Sequence, residues 1–244
     1  EEIDPKVDPL SPDNKLIIAT GPLTGTNAST GGRWSAVTKG PLTGAIACSN
    51  SGGQFGGELK MAGWDFIIFE GRSEKPVYLY LEDEHAELLD ASHLWGGSVW
   101  QIEPQIKKAH EDPLIRVASI GPAGENMVRY ACIVNDLHRA AGRSGVGAVM
   151  GSKHLKAIAV RGTTGVNVVD HKKFFAAVKA TNTTLNDSEG RMGLTRYGTI
   201  PMMDITSSFG ALPTRNNREV QFEGHEQINV TAMQEPNERG HTNF

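Results

Sequence analysis

Residues 138–153 read HRAAGRSGVGAVMGSK, a glycine-rich run that also carries Arg139 and Arg143. A second region of the same character pairs Gly31-Gly32-Arg33 with Asn50-Ser51-Gly52-Gly53. Glycine lets main-chain N–H groups come close to a ligand, because no Cβ stands in the way. Arginine offers a planar fork of donors that matches phosphate oxygens. Two such segments, both predicted to be loops, indicate a large anionic ligand that is bound from two sides.

Neither segment fits a common nucleotide-binding signature. A P-loop has lysine directly after its last glycine, but here Ser152 separates Gly151 from Lys153. A dinucleotide-binding fingerprint has a third glycine at the position that Met150 occupies after Gly145 and Gly147. A nucleotide-binding enzyme that uses residues 142–153 therefore remains only an alternative, which would bind NAD or ATP saturably.

The composition excludes several classes of protein. Of 244 residues, 39% are hydrophobic and 21% charged, as is usual for a globular protein, while 28 are glycine, which indicates many tight turns. A net charge of −4 argues against general binding to nucleic acid or to an acidic membrane, and no apolar run approaches the roughly 18 residues of a membrane span. Cys48 and Cys132 form no C-x-x-C pattern, so we expect no thiolate metal site and two buried free thiols, with a disulfide between them as the alternative. The opening Glu1-Glu2-Ile3-Asp4-Pro5 is typical of an internal turn, so we expect a piece of a longer protein.

The order of elements predicts an α+β fold with a domain boundary near residue 166. Two copies of Gly-Pro-Leu-Thr-Gly, at 21–25 and 40–44, are predicted to be turns between strands. Apolar runs predict strands at 16–19, 45–48, 66–69, 77–81, 86–89, 115–120 and 156–161, and helices at 55–64 and 98–110, the second capped by Ser98 and kinked or broken at Pro104. Beyond the boundary we predict helices at 170–185 and 200–209, the first with a buried stripe of Phe174, Phe175, Val178 and Leu185.

Taken in order, six motifs resemble the tungsten-containing aldehyde ferredoxin oxidoreductase family. They cover residues 1 to about 165 almost continuously, and residues 193–215 extend the resemblance more thinly. The motifs are Gly21-Pro22-Leu23-Thr24-Gly25-Thr26, Thr30-Gly31-Gly32-Arg33, Asn50-Ser51-Gly52-Gly53, Glu58-Leu59-Lys60-Met61-Ala62-Gly63-Trp64-Asp65, Ile120-Gly121-Pro122-Ala123-Gly124-Glu125-Asn126 and the run from His138 to Lys156.

The resemblance implies a β-rich N-terminal saddle domain that binds a bis-pterin cofactor, here residues 1–166 without their first segment. Residues 167–244 would begin a mostly helical second domain. Members of the family hold one tungsten, sometimes molybdenum, between two pyranopterin dithiolenes, with a [4Fe-4S] cluster beside one pterin and Mg²⁺ between the two pterin phosphates. The cluster cysteines and the acid–base residues are expected outside this chain.

The resemblance also implies roles for particular residues. The backbone carbonyls of Asn50 and Ala140 are expected to bind Mg²⁺, a cation that takes oxygen ligands. Contacts with pterin or phosphate are expected from three more residues, namely Gly52, Arg139 and Gly142. Arg33 is expected to lie between a pterin and the cluster, where a fixed cation biases the cluster potential. From the residues alone, His138 beside Asp136 is a general base, a metal ligand or a structural histidine.

The function implied is oxidation of an aldehyde, with water, to a carboxylic acid. Two electrons would pass through the tungsten centre and the cluster to ferredoxin or to an iron–sulfur electron-transfer subunit, in a cytoplasmic, oligomeric enzyme. Two alternatives stay open: a tungsten enzyme of the same superfamily with another low-potential reaction, such as reduction of an activated aromatic acid, and a non-catalytic scaffold or electron-transfer subunit.

Overall fold

A computed structural model describes residues 3–236 of the chain, which divides into two units, Glu1–His171 and Lys172–Phe244. The first unit contains ten strands and four helices, so the predicted α+β class with a β-rich N-terminal part is confirmed. Its strands are β1 (Leu16–Thr20), β2 (Trp34–Lys39), β3 (Ile46–Ser51), β4 (Phe66–Phe69), β5 (Val77–Glu82), β6 (His85–Asp90), β7 (Arg116–Ser119), β8 (Ile133–Asn135), β9 (Arg139–Ala141) and β10 (Leu155–Arg161), and its helices are α1 (Phe55–Met61), α2 (Val99–Ala109), α3 (Pro122–Glu125) and α4 (Val146–Ser152).

The first sheet is antiparallel, with the strand order β3-β2-β1-β4. Its strands alternate between a buried and a more exposed face, because successive side chains of a strand point to opposite sides. Both Gly-Pro-Leu-Thr-Gly copies form the predicted turns, one between β1 and β2 and one between β2 and β3. Strand β2 was not predicted, because one of its inward positions is the polar Thr38, whose hydroxyl donates to the Lys15 carbonyl at 2.6 Å.

The second sheet has the order β6-β5-β10-β7-β8-β9, in which only the β5–β10 pair is parallel. One of its faces packs with α1, α4 and the buried face of the first sheet in the main hydrophobic core. Its other face packs against α2 in a smaller core. Burial of both faces explains why β10 reads as an almost continuous apolar run.

Three predictions for the first unit need correction. Residues 138–153 are not a loop but contain β9 and α4, and α4 is buried along its whole length. Helix α2 is not broken at Pro104 but continues through it, since buried Ile102 and Ile106 anchor it on either side of the proline. Both cysteines are free, as expected, but Cys48 is exposed and Cys132 only partly buried, because Cys48 lies on the outward face of β3.

The second unit consists of short helices with little burial. Those within the described residues are α5 (His171–Asn186), α6 (Glu189–Tyr197), α7 (Met202–Ser208) and α8 (Val230–Gln234), so the two predicted helices are present, whereas α6 and α8 were not predicted. The buried stripe predicted for α5 is wrong: Phe174 and Val178 are half-buried, whereas Phe175 and Leu185 are exposed, because no described part of the chain packs closely enough on α5 to bury any of its residues. Among the described helices, none combines the length and apolar character that crossing a bilayer would require.

Candidate functional site

The two sheets meet at their edges, where β3 lies against β9. We call this place the sheet junction; it comprises residues 49–53, residues 139–143, Arg33 and Asn135. The Arg143 backbone N–H donates to Ser49 Oγ at 2.9 Å, and Ser51 Oγ donates to Asn135 Oδ1 at 2.7 Å. The two charged, glycine-rich segments of the sequence, 88 residues apart at their Asn50 and His138 starts, therefore form one surface.

Alternation along β3 determines which side chains face outward at the junction. Ser49 and Ser51 are buried and bond to the second sheet, whereas Asn50 between them is exposed. Asn50 lies opposite Ser35 of β2, two residues after Arg33. The Arg33 Nη1 group donates to Asn50 Oδ1 at 2.7 Å, so these two predicted site residues lie together at the surface.

On the other side of the junction, β9 pairs with β8 in a tight antiparallel hairpin. Arg139, Ala140 and Gly142 are exposed, and only Ala141 of this segment is buried. Both β3 and β9 are edge strands, and an edge strand presents backbone groups that its own sheet does not pair. Asn50 and Ala140 thus belong to strands that can offer carbonyl oxygens to a cation.

The glycines of the junction differ from those of α4 in what surrounds them. A Cβ added to Gly52 or Gly142 would meet no atom within 4 Å. A Cβ added to Gly145 or Gly151 would come within 1.9 Å of a backbone carbonyl oxygen. The glycines of α4 are therefore required for packing, whereas Gly52 and Gly142 leave open space that a bound group can approach.

The junction carries exposed positive charge. Arg33, Arg139 and Arg143 are all exposed, and within residues 3–236 none of them forms an ion pair with a carboxylate. Across the same residues, no three His, Cys, Asp or Glu side chains gather as a metal site. A cation bound here would accordingly be held by backbone and amide oxygens.

The side chains of Asp136 and Asn135 form hydrogen bonds within the protein itself. The Asp136 carboxylate accepts the backbone N–H groups of Gln54 at 2.7 Å and Phe55 at 3.3 Å, and so caps α1. His138 is exposed beside it. Asn135, which no sequence pattern singled out, is fully buried at the end of β8 and accepts hydrogen bonds from Ser51 and Trp34 of the first sheet.

These features fit an anionic group of phosphate type. Phosphate oxygens bind to exposed backbone N–H groups and to guanidinium forks, and the junction supplies three arginines around two glycines with open surroundings. The arrangement is one that can accept a phosphate-bearing ligand between two backbone segments.

Comparison with known proteins gives the family. The profile described as "Aldehyde ferredoxin oxidoreductase, N-terminal domain" matches residues 1–162, and that described as "Aldehyde ferredoxin oxidoreductase, domains 2 & 3" matches residues 176–243. The chain therefore belongs to the aldehyde ferredoxin oxidoreductase family.

Individual relatives agree with this assignment. The chain is 56% identical over 224 residues, 91% of its length, to the tungsten-containing aldehyde ferredoxin oxidoreductase of Thermococcus kodakarensis. It is 56% identical over 217 residues to the enzyme of the same name from Pyrococcus furiosus. It spans 37% and 36% of the length of these two relatives. A third relative, 40% identical over 170 residues or 65% of this chain, and matched over 27% of its own length, is the "Aliphatic sulfonate oxidoreductase, WOR-like subunit" of Pyrococcus furiosus.

A solved structure shares the fold. The active-site complex BamBC of benzoyl coenzyme A reductase, in complex with 1,5-dienoyl-CoA, superposes with a TM-score of 0.75 at 41% identity. The match covers 78% of this chain and 29% of that chain.

Proposed function

We propose that this chain is the cofactor-binding part of a tungsten-dependent oxidoreductase that converts aldehydes and water to carboxylic acids. The observation that carries the proposal is the sheet junction, where Arg33, Arg139 and two uncovered glycines, Gly52 and Gly142, converge. The 56% identity to enzymes named tungsten-containing aldehyde ferredoxin oxidoreductase supports this reaction for the whole protein.

The residues of the junction would hold a tungsten bis-pyranopterin through its phosphates. Gly52 and Gly142 would admit the phosphate or pterin to the backbone, and Arg139 would balance its charge. The carbonyls of Asn50 and Ala140 would bind a Mg²⁺ ion between the two phosphates, since Mg²⁺ prefers oxygen ligands. When bound, the tungsten centre would supply the two-electron oxidation.

Arg33 would influence the redox potential of the cluster. Its guanidinium is oriented by the hydrogen bond to Asn50 Oδ1. A fixed cation between a pterin and a [4Fe-4S] cluster would favour the reduced, more negative state of the cluster and so raise its potential. The cluster ligands would come from outside this chain, as would the acid–base residues.

Three further properties stay predictions. Electrons would pass to ferredoxin or to an iron–sulfur electron-transfer subunit, the protein would act in the cytoplasm, and it would be an oligomer. Each follows from the family resemblance.

A second candidate is another low-potential reaction at the same kind of centre. It is favoured by the similarity to the benzoyl coenzyme A reductase complex, which reaches 41% identity with a TM-score of 0.75. The higher identity to the aldehyde enzymes favours aldehyde oxidation. A non-catalytic scaffold would keep the fold and lack the metal.

The test is anaerobic purification of the protein, followed by measurement of tungsten and pterin per polypeptide. A panel of aldehydes with a viologen dye as electron acceptor then measures the reaction. We expect stoichiometric tungsten and aldehyde-dependent dye reduction. Tungsten without activity on any aldehyde would favour the second candidate, and absence of both tungsten and pterin would contradict cofactor binding.

A further inference from the structure

Asn135 occupies the centre of the sheet junction and uses its whole hydrogen-bonding capacity. Its side chain is completely buried at the end of β8. Its Oδ1 accepts from Ser51 Oγ at 2.7 Å and from Trp34 Nε1 at 3.3 Å. Its Nδ2 donates to the Gly52 carbonyl at 2.9 Å and to Asp136 Oδ2 at 2.7 Å. A side-chain amide has two donors and an acceptor oxygen with two lone pairs, so nothing is left unpaired.

These four bonds connect three separate parts of the chain. Ser51 and Gly52 belong to the β3 side of the junction, and Trp34 begins β2 directly after Arg33. Asp136 starts the turn from β8 to β9, the strand that carries Arg139 and Ala140. Asn135 therefore links both sides of the junction through a single amide.

The approach of the two sides is close enough to require a glycine. Gly53 has φ +88°, and a Cβ there would lie 2.2 Å from Asp136 Oδ2 and 2.8 Å from Asn135 Nδ2. The Asp136 and Asn135 side chains therefore pack directly against the backbone of the other segment at Gly53.

We propose that Asn135 is a positioning residue: its amide sets the separation of the two backbone segments, so that Asn50 and Gly52 on one side and Arg139, Ala140 and Gly142 on the other reach the same phosphate-bearing cofactor. This inference rests on the proposed function and adds a residue that does not itself contact the ligand. Groups that orient direct ligands commonly change metal affinity 10- to 100-fold when they are replaced.

The test is Asn135→Asp in the protein purified anaerobically with its cofactor. The aspartate keeps the shape but replaces two donors by an acceptor that faces the Gly52 carbonyl and the Asp136 carboxylate, so the two sides should separate. We expect the tungsten and pterin retained per folded polypeptide to fall about 10-fold.

The matched control is Asn14→Asp. Asn14 is equally buried and its Nδ2 donates to the Pro9 and Lys39 carbonyls at 2.7 and 3.1 Å. It lies beside the opposite end of β2, away from the junction. We expect this variant to lose thermal stability but to retain the wild-type cofactor content per folded polypeptide.

Ser51→Ala, which removes a single bond to Asn135, decides the question if Asn135→Asp does not fold. It should lower cofactor retention several-fold while the protein stays folded. If the folded junction variants keep as much tungsten and pterin as Asn14→Asp, the positioning role is wrong although the proposed function stands. If the wild-type protein carries no pterin, the proposed function fails and this inference fails with it.

Discussion

Arg33 places a charge at the surface of the junction, and its Nη1 donates to Asn50 Oδ1 at 2.7 Å. A hydrogen bond to a charged group contributes about 1.5–3 kcal/mol. We therefore predict that Arg33→Ala lowers bis-pterin occupancy about 10-fold or shifts the cluster potential. Tungsten analysis and a redox titration measure the two effects.

The control for this substitution is Arg72→Ala, an exposed arginine whose guanidinium contacts His154. It should leave both quantities unchanged. If Arg33→Ala has the same tungsten content and the same redox titration as the wild-type protein, Arg33 is only a surface residue.

His110 gives the first unit a pH dependence that is independent of the cofactor. Its ring stacks on Tyr80 at 3.8 Å between centroids, and its Nε2 lies 2.9 Å from the Tyr78 hydroxyl. Burial lowers the pKa of His110 below 6.5, although Glu82 and Glu87 act in the opposite direction. The folded protein therefore binds the proton more weakly than the unfolded chain.

The contribution of His110 to the free energy of unfolding is therefore fully present above pH 6.5. It is lost as the pH falls through the lowered pKa of this histidine in the folded state. We predict that the free energy of unfolding decreases from pH 7 to pH 5 with a slope that becomes shallower in His110→Phe. Urea unfolding across this range measures the slope. His85→Phe, at an exposed histidine, is the control, and an equal change of slope in both variants would contradict the assignment to His110.

At the scale of elements, residues 138–153 contain two functionally different kinds of glycine. Gly151 packs α4 against the Gly124 carbonyl, whereas Gly142 leads from β9 into open space. We predict that Gly151→Ala destabilises the protein by about 1–3 kcal/mol or more, as overpacking does, because the backbone must shift. Gly142→Ala should leave the free energy of unfolding nearly unchanged and lower cofactor content.

Denaturant unfolding and tungsten analysis on the same preparations distinguish the two effects. A large loss of stability in Gly142→Ala, or an unchanged cofactor content, would contradict the assignment of this glycine to the ligand.

The sequence predicts those elements whose pattern is local. Strands β1 and β4 and the β5–β6 hairpin follow from short apolar runs between turn residues. In contrast, β8 and β9 have three residues each, too few for a periodic pattern to emerge. α4 escaped prediction because its glycines are typical of a loop, while their actual role is close backbone packing.

The residues of the candidate site also differ in how far the sequence predicts them. Charge and glycine content mark the two segments in the sequence, and the family resemblance selects Arg33, Asn50, Arg139 and the two open glycines within them; the structure brings these residues together. Asn135 could not be selected, because its partner Trp34 is 101 residues away and a buried asparagine has no sequence signature of its own. Exposed arginines and glycines in a motif are thus easier to select from the sequence than a buried polar residue that connects distant segments.

For the whole molecule, the two units differ in how much apolar surface they bury. The first has two hydrophobic cores, whereas α5 and α6 of the second contain no buried residue. We predict that residues 172–244, expressed alone, show no cooperative thermal unfolding by circular dichroism, because a small domain needs a core to offset its conformational entropy. A sharp unfolding transition in this segment would contradict that expectation.

The most direct test of the central claim is an experimental structure of the cofactor-loaded protein, determined by crystallography or electron cryo-microscopy with the metal located by its scattering. We predict that phosphate groups lie at the sheet junction, within hydrogen-bonding distance of the Gly52 and Gly142 backbone and of Arg139, with a cation on the carbonyls of Asn50 and Ala140. A junction that faces solvent, or a pterin bound elsewhere, would contradict the claim.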